Sequence, residues 1–342
     1  MRVRAWGSGV LVLALLVVSP ALVSEYTLTS VLTQALWLGL AASTMTFLSA
    51  YGGMVSLAQV GVYAVAGFTL ANTVTTESSK GLNLGWNPWL SVLAGVVVAT
   101  IFGSLIGAIG SRSTGIYFLM LTLIFGVIVN LFFGSVVELS GFSGISAVRT
   151  IGPVGDPVGD PARLFYVALV CCVVFYLLMR YLVRTPFGLT LQGIRDDPVR
   201  MSSLGYRVSL HRTVAFGFAA FVASFAGILF TWWNDQSIQP SAVGVERVLD
   251  LLVIAVIGGL GRIEGAWIGA LFFTLIATNI QNYTVDIPLI GALGERFHTV
   301  LGLIFLVIVL VSPGGIVGLG ESLAARIRKP APPTADAAPA SG

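Results

Sequence analysis

Few residues in this chain could do chemistry, and their spacing excludes more than it offers. The two histidines, His211 and His298, stand at the ends of apolar runs with no convergent set of cysteine, aspartate or glutamate. A metal site or a nucleophile–base pair needs such a set. Cys171 and Cys172 are neighbours inside an apolar run; adjacent cysteines rarely close an unstrained disulfide, so they read as two small core residues. A phosphate-binding loop requires Gly-Lys followed by Ser or Thr. Both lysines fail this test, Lys80 lying between Ser79 and Gly81 and Lys329 preceding Pro330. Gly258 to Gly265 is glycine-rich but has no lysine, and reads as close helix packing or a tight turn. The chain is therefore expected to hold no cofactor or metal and to hydrolyse no nucleotide. What remains is a mixed-charge cluster, Arg195, Asp196, Asp197 and Arg200, and isolated polar groups within apolar runs: Gln59, Thr122, Asn130 and Asp250.

The elements that must position these groups follow from composition. Of 342 residues, 56% are hydrophobic and only 10% charged, where a soluble domain carries about 25% charged residues. Uncharged runs of about 18 residues or more, long enough to cross a ~30 Å hydrocarbon layer, recur along nearly the whole chain. The expected spans are 6–23, 28–50, 54–71, 89–109, 115–134, 164–183, 209–233, 248–260, 266–281 and 297–312. The fold class is thus an all-α polytopic membrane protein with about ten transmembrane or re-entrant helices. Arg2 and Arg4 before the first run, with Ser19-Pro20-Ala21 after it, also fit a signal peptide; a retained helix is the favoured of the two readings. Spans 54–71, 248–260 and 266–281 are short or flanked by glycines (Gly52-Gly53, Gly258-Gly259, Gly261, Gly265). Paired broken segments of this kind point to an internal repeat around a central pathway.

Orientation is read from charge. With the N-terminus inside and ten crossings, thirteen basic residues fall on the inner side, among them Arg112, Arg180, Arg184, Arg195, Arg200 and Arg207. The outer side holds five: Lys80, Arg149, Arg163, Arg247 and Arg296. The positive-inside rule then places both termini in the cytoplasm. Residues 1–329 form the membrane domain, and the Pro-, Ala- and Ser-rich residues 330–342 read as a disordered cytoplasmic tail. The net charge of +3 gives no reason to expect a nucleic-acid partner.

The segment between the sixth and seventh spans, residues 184–208, is the most informative. Pro186 suits a helix start, Pro198 must break or begin a helix, and Gly205 suits a helix stop. Two short helices are expected, with Asp196 or Asp197 capping the second. Such an amphipathic element fits a docking knob for a partner protein; composition alone modestly favours an interfacial helix lying on anionic lipid. Among the isolated polar groups, Asp250 has Arg247 about one turn away, so a pathway role and a structural pair are equally open. Gln59, Thr122 and Asn130 either line a pathway or, more commonly, bond neighbouring helices. Glu264 beside Arg262 fits a cytoplasmic turn. Trp232 and Trp233 close a span, where an interfacial belt would explain them.

Pro186-Phe187-Gly188, Ile194-Arg195-Asp196-Asp197 and Leu204-Gly205 together resemble the cytoplasmic coupling loop of the branched-chain amino acid permease family of ABC importers. Four further stretches are similar to that family's motifs, in order along the chain: Tyr51 to Gln59 with Gly67-Phe68-Thr69, Thr114 to Leu123, Val256 to Gly269, and Pro313 to Gly318. Within the family the chain resembles the longer of two paired permeases. Ala58-Gln59 stands where the family has Gly-His, and Ser312 where it has arginine. The resemblance implies a bacterial cell-membrane permease subunit importing branched-chain amino acids, with urea or short amides as alternatives. It implies a second permease, two ATPase subunits receiving Pro186, Phe187, Gly188, Ile194, Arg195, Asp196, Asp197, Leu204 and Gly205, and an external binding protein docking on 134–163 and 234–247. A stand-alone secondary transporter is the rival reading, for which Asp250 is the one available intramembrane carboxylate.

Overall fold

The computed structural model describes residues 16–20, 24–76, 78, 80–282, 286–287, 291–292 and scattered positions between 299 and 318. The expected first and last spans, His298 and the 330–342 tail lie wholly or largely outside the described residues.

Residues 16–20 are helical, and α1 follows at Glu25–Gly52, with Ser24 capping its start and a π-helical stretch at Leu28–Thr33. Helix α2 is Gln59–Val74, α3 Pro88–Gly110, α4 Ile116–Ser135 and α5 Pro161–Arg184. Two short helices follow, α6 at Pro186–Asp196 and α7 at Pro198–Ser203. Then come α8 at Val208–Trp233, α9 at Val245–Gly258 and α10 at Ile263–Asn282. A single two-residue strand pair, Asp286–Ile287 with Gly291–Ala292, accompanies them among the described residues. Local chemistry sets several boundaries. Pro88 and Pro161 open α3 and α5, where a missing N–H removes no helical bond, and the Asn87 side chain accepts from the Trp89 amide at 3.0 Å.

Five of these helices, α1, α3, α4, α5 and α8, are long and apolar enough to cross a membrane, so the chain is a multi-pass membrane protein. Burial divides them into two classes. The most apolar stretches of α1 and α8 are 89% and 72% buried inside the chain, whereas those of α3, α4 and α5 are only 33%, 28% and 39% buried. A helix apolar all round belongs in a core; one that exposes leucine and isoleucine from a membrane protein meets lipid or another apolar chain. The core is therefore α1, α2 and α8, and the outer shell includes α3, α4 and α5.

Small residues let the core backbones touch. A Cβ added at Gly227 of α8 would lie 2.0 Å from the carbonyl oxygen of Tyr63 in α2. In a lipid solvent such close contact drives helix association.

Helices α2 and α9, with 16 and 14 residues, rise about 24 and 21 Å at ~1.5 Å per residue. Neither reaches across the ~30 Å hydrocarbon layer. The expected span 54–71 begins instead at Gln59, because the chain breaks between Gly53 and Ala58. Helix α9 turns through Gly259–Arg262 into α10 as a tight hairpin. A Cβ at Gly258 would sit 1.9 Å from the Gly265 oxygen, and one at Gly269 2.1 Å from the Ile254 oxygen.

Candidate functional site

Helix α5 ends and α6 begins at Thr185, whose extended backbone turns the chain. Its hydroxyl accepts weakly from the Gly188 amide at 3.4 Å. The turn admits no side chain at Gly188: a Cβ there would meet the Leu182 and Val183 oxygens at 2.3 and 2.5 Å. Leu191 and Ile194 bury one face of α6 completely. At Asp197 the chain turns again, and its carboxylate accepts from the amides of Val199 and Arg200 at 3.0 and 2.9 Å. Of the two capping residues expected, Asp197 is the one used. Met201 of α7 folds back over Gly193 of α6, and Gly205 ends the pair with φ of 89°. The result is a compact two-helix protrusion between α5 and α8.

The protrusion is bolted to the core. The Arg195 guanidinium donates to the carbonyl of Ala50, near the end of α1, and pairs with Asp196 at 2.7 Å. Its aliphatic stem lies on Gly53, where a Cβ would come within 2.8 Å of Arg195 Cγ. Phe187 stacks on His211 of α8, ring centroids 5.8 Å apart. Pro186 and Gly188 thus shape the base, and Phe187, Ile194 and Arg195 hold it down. What points outward is Leu189, Val199 and Leu204, 61%, 75% and 66% exposed, interleaved with exposed Asp196, Arg200 and Gly205. Leu189 and Val199 stand out as the apolar tip, and sequence reading had given them no docking role.

Beneath Arg195 lies the break between α1 and α2. Gly53 takes a left-handed conformation, φ 65°, which an L side chain adopts only with strain. The following backbone is satisfied from across the fold: Thr122 of α4 accepts from the Leu57 amide at 3.1 Å while donating to Leu119. Gln59, fully buried, accepts from Thr44 at 3.3 Å, and its amide nitrogen has no protein partner among the described residues. Non-helical backbone at membrane depth survives only with such partners. Thr122 and Gln59 therefore brace one break, whereas Asn130 and Asp250 belong elsewhere. Asn130 donates to the Pro240 carbonyl. Asp250, buried, meets Arg247 at 3.4 Å, the pair that their spacing had offered.

The far end carries a cap. The 136–160 segment and the 234–244 segment exchange backbone bonds, with the Ile145 and Ile238 amides each donating to the other's carbonyl at 2.9 Å. The two segments expected to receive an external partner thus form one surface. The protrusion end is equally unified, since Arg180 of α5 pairs with Glu264 of α10 and Ser111 with Ser209. The interfacial-belt reading of Trp232 and Trp233 needs correction. Trp232 is buried, and Trp233 donates to the Thr29 carbonyl at 2.8 Å and packs on Trp37. That inner cluster, with Tyr63 and Phe230, leaves the Trp37 and Tyr63 polar atoms without protein partners among the described residues. Sequence reading missed it, since nothing along the chain links these four rings.

Three relatives place this architecture. A branched-chain amino acid transport permease LivM, termed probable, from Methanocaldococcus jannaschii is 22% identical over 82% of this chain and 84% of its own length. The high-affinity LivM permease of Salmonella typhimurium is 28% identical over 66% of this chain; the match spans just over half, 56%, of that relative. The nucleoside ABC transporter permease NupC of Lactococcus lactis is 22% identical over 76% of the chain and 83% of the relative. No solved structure matches significantly. The model of the branched-chain amino acid transport system permease component matches residues 27–313, and the chain belongs to that family.

Proposed function

We propose that this chain is the longer of two paired permease subunits in an ABC importer, forming part of the pathway for branched-chain amino acids and driven by separate ATPases. The observation that carries the reading is the protrusion of α6 and α7: a rigid base tied to α1 and α8, and an exposed tip of Leu189, Val199 and Leu204 among charges. A partner pressing on that tip moves the base as a body, and Arg195 passes the motion to the break at Gly53. Domain rocking of this kind is a recognised route from a local push to a global change. The Ile145–Ile238 cap at the other end would receive a substrate-binding protein, with both chain termini and the protrusion in the cytoplasm.

A second substrate class is supported by a specific observation, the nucleoside permease among the relatives; urea and short amides stand as alternatives on the sequence resemblance. Reconstitution with partner ATPases, second permease and binding protein tests the whole reading. Leucine uptake that requires ATP and stops with vanadate is the expected result. Uptake of uridine or urea in place of leucine would redirect the substrate assignment, and gradient-driven uptake by this chain alone would overturn the importer reading.

A further inference from the structure

At the protrusion end, α8 carries an arginine that the coupling reading does not use. Arg212 lines a cavity of about 230 Å³ together with Gly53, Met54, Ser113, Thr114 and Ile116. Its Nε atom is buried without a partner, and no described residue forms an ion pair with its guanidinium. The Ser113 and Thr114 hydroxyls likewise make no hydrogen bond among the described residues. Every other arginine at this end with a comparable position is compensated: Arg180 pairs with Glu264 and Arg195 with Asp196. A cation half-removed from water at the edge of a membrane is costly unless an anion reaches it.

Ile116 in the cavity wall begins an exposed apolar stripe. Ile116, Met120, Ile124 and Ile128 recur every four residues along α4 and are 70%, 57%, 56% and 51% exposed. A largely apolar cavity with one uncompensated arginine and two hydroxyls in its wall, at the head of an apolar lane, suits an amphiphile: phosphate at Arg212, hydroxyl contacts from Ser113 and Thr114, acyl chain along α4. Basic pockets between transmembrane helices commonly hold acidic headgroups. We propose that this cavity is a binding site for the headgroup of an acidic phospholipid, packed against the Gly53 break. The inference requires only that the chain spans a membrane, so it stands or falls independently of the substrate and of the ATPase contact.

Native mass spectrometry of the delipidated complex, titrated with phosphatidylglycerol, phosphatidylcholine or inorganic phosphate, tests it. A charge-assisted hydrogen bond contributes about 1.5–3 kcal/mol, so a preference for phosphatidylglycerol over phosphatidylcholine of at least about tenfold is expected. Arg212→Gln should erase the preference. Ser113→Asp, which supplies Arg212 with an internal carboxylate and disturbs no buried contact, should erase it too and decides the matter if Arg212→Gln misfolds. Arg207→Gln, an exposed arginine at the same end, should leave it intact. Equal binding of the two lipids, a preference that survives Ser113→Asp, loss in Arg207→Gln as well, or full displacement of lipid by excess inorganic phosphate would each overturn the proposal.

Discussion

Single residues here act through what they leave unsatisfied. Thr122 is the only partner of the Leu57 amide among the described residues, and a buried amide left without a partner costs about 1–3 kcal/mol. Thr122→Val keeps the volume and removes the acceptor. The detergent-solubilised protein should therefore unfold at lower temperature by an amount matching that range, while Thr122→Ser, which restores the oxygen, should recover most of the loss. Unchanged unfolding of Thr122→Val would mean the break finds another acceptor. Arg195 poses a different question, because it is tied inward to the Ala50 carbonyl while it pairs with its exposed neighbour Asp196. Arg195→Ala leaves the outward tip intact, so ATPase subunits should still co-purify. Uptake per ATP hydrolysed should fall, since the push no longer reaches Gly53. Loss of co-purification would instead make Arg195 a docking residue. Such tertiary ties were invisible along the chain: Thr122 and Leu57 are 65 residues apart, Arg195 and Ala50 145.

At the scale of elements, legibility followed from how local each cause is. The protrusion could be read because its punctuation is local: Pro186 and Pro198 start its helices, Asp197 caps the second by accepting from amides two and three residues on, and Gly205 stops it. The Arg247–Asp250 pair was legible for the same reason, as neighbours one turn apart. The break was only half legible. Gly52-Gly53 marked it, but Met54, Val55 and Leu57 are apolar, and short apolar runs do not reveal whether they are helical; only their contacts with α4 do. Trp232 and Trp233 misled because a span end looks alike whether it faces lipid or packs inward on α1. The protrusion's two faces yield a separable pair of predictions. Leu189→Asp with Val199→Asp changes only exposed tips and should abolish ATPase co-purification while membrane insertion and thermal unfolding remain as in the parent chain. Gly188→Ala instead forces a methyl to 2.3 Å from the Leu182 carbonyl oxygen. Overpacking against backbone costs at least about 1–3 kcal/mol, so this variant should lose thermal stability as well as partner binding. If both variants behaved alike, base and tip would not be distinct.

The whole molecule has two unlike ends joined by a buried core of α1, α2 and α8, and the coupling proposal depends on which end faces the cytoplasm. Every contact places the protrusion, the Arg180–Glu264 pair and the Arg212 cavity at one end and the Ile145–Ile238 cap at the other, so one accessibility experiment orients them all. Leu189 at the protrusion and Phe142 at the cap are 61% and 79% exposed, and cysteine at either position should be tolerated. The native Cys172 is buried and Cys171 lies on the same helix within an apolar stretch, so a membrane-impermeant thiol reagent should leave both unlabelled. In intact cells the reagent should then label Phe142→Cys and spare Leu189→Cys; in inverted vesicles the pattern should reverse. The excess of basic residues around the protrusion favours this orientation, because positively charged loops are retained on the inner side during insertion. The opposite labelling would leave the helices and their packing untouched, yet it would expose α6 and α7 where no ATP-hydrolysing partner could press on them, and the importer mechanism would have to be abandoned.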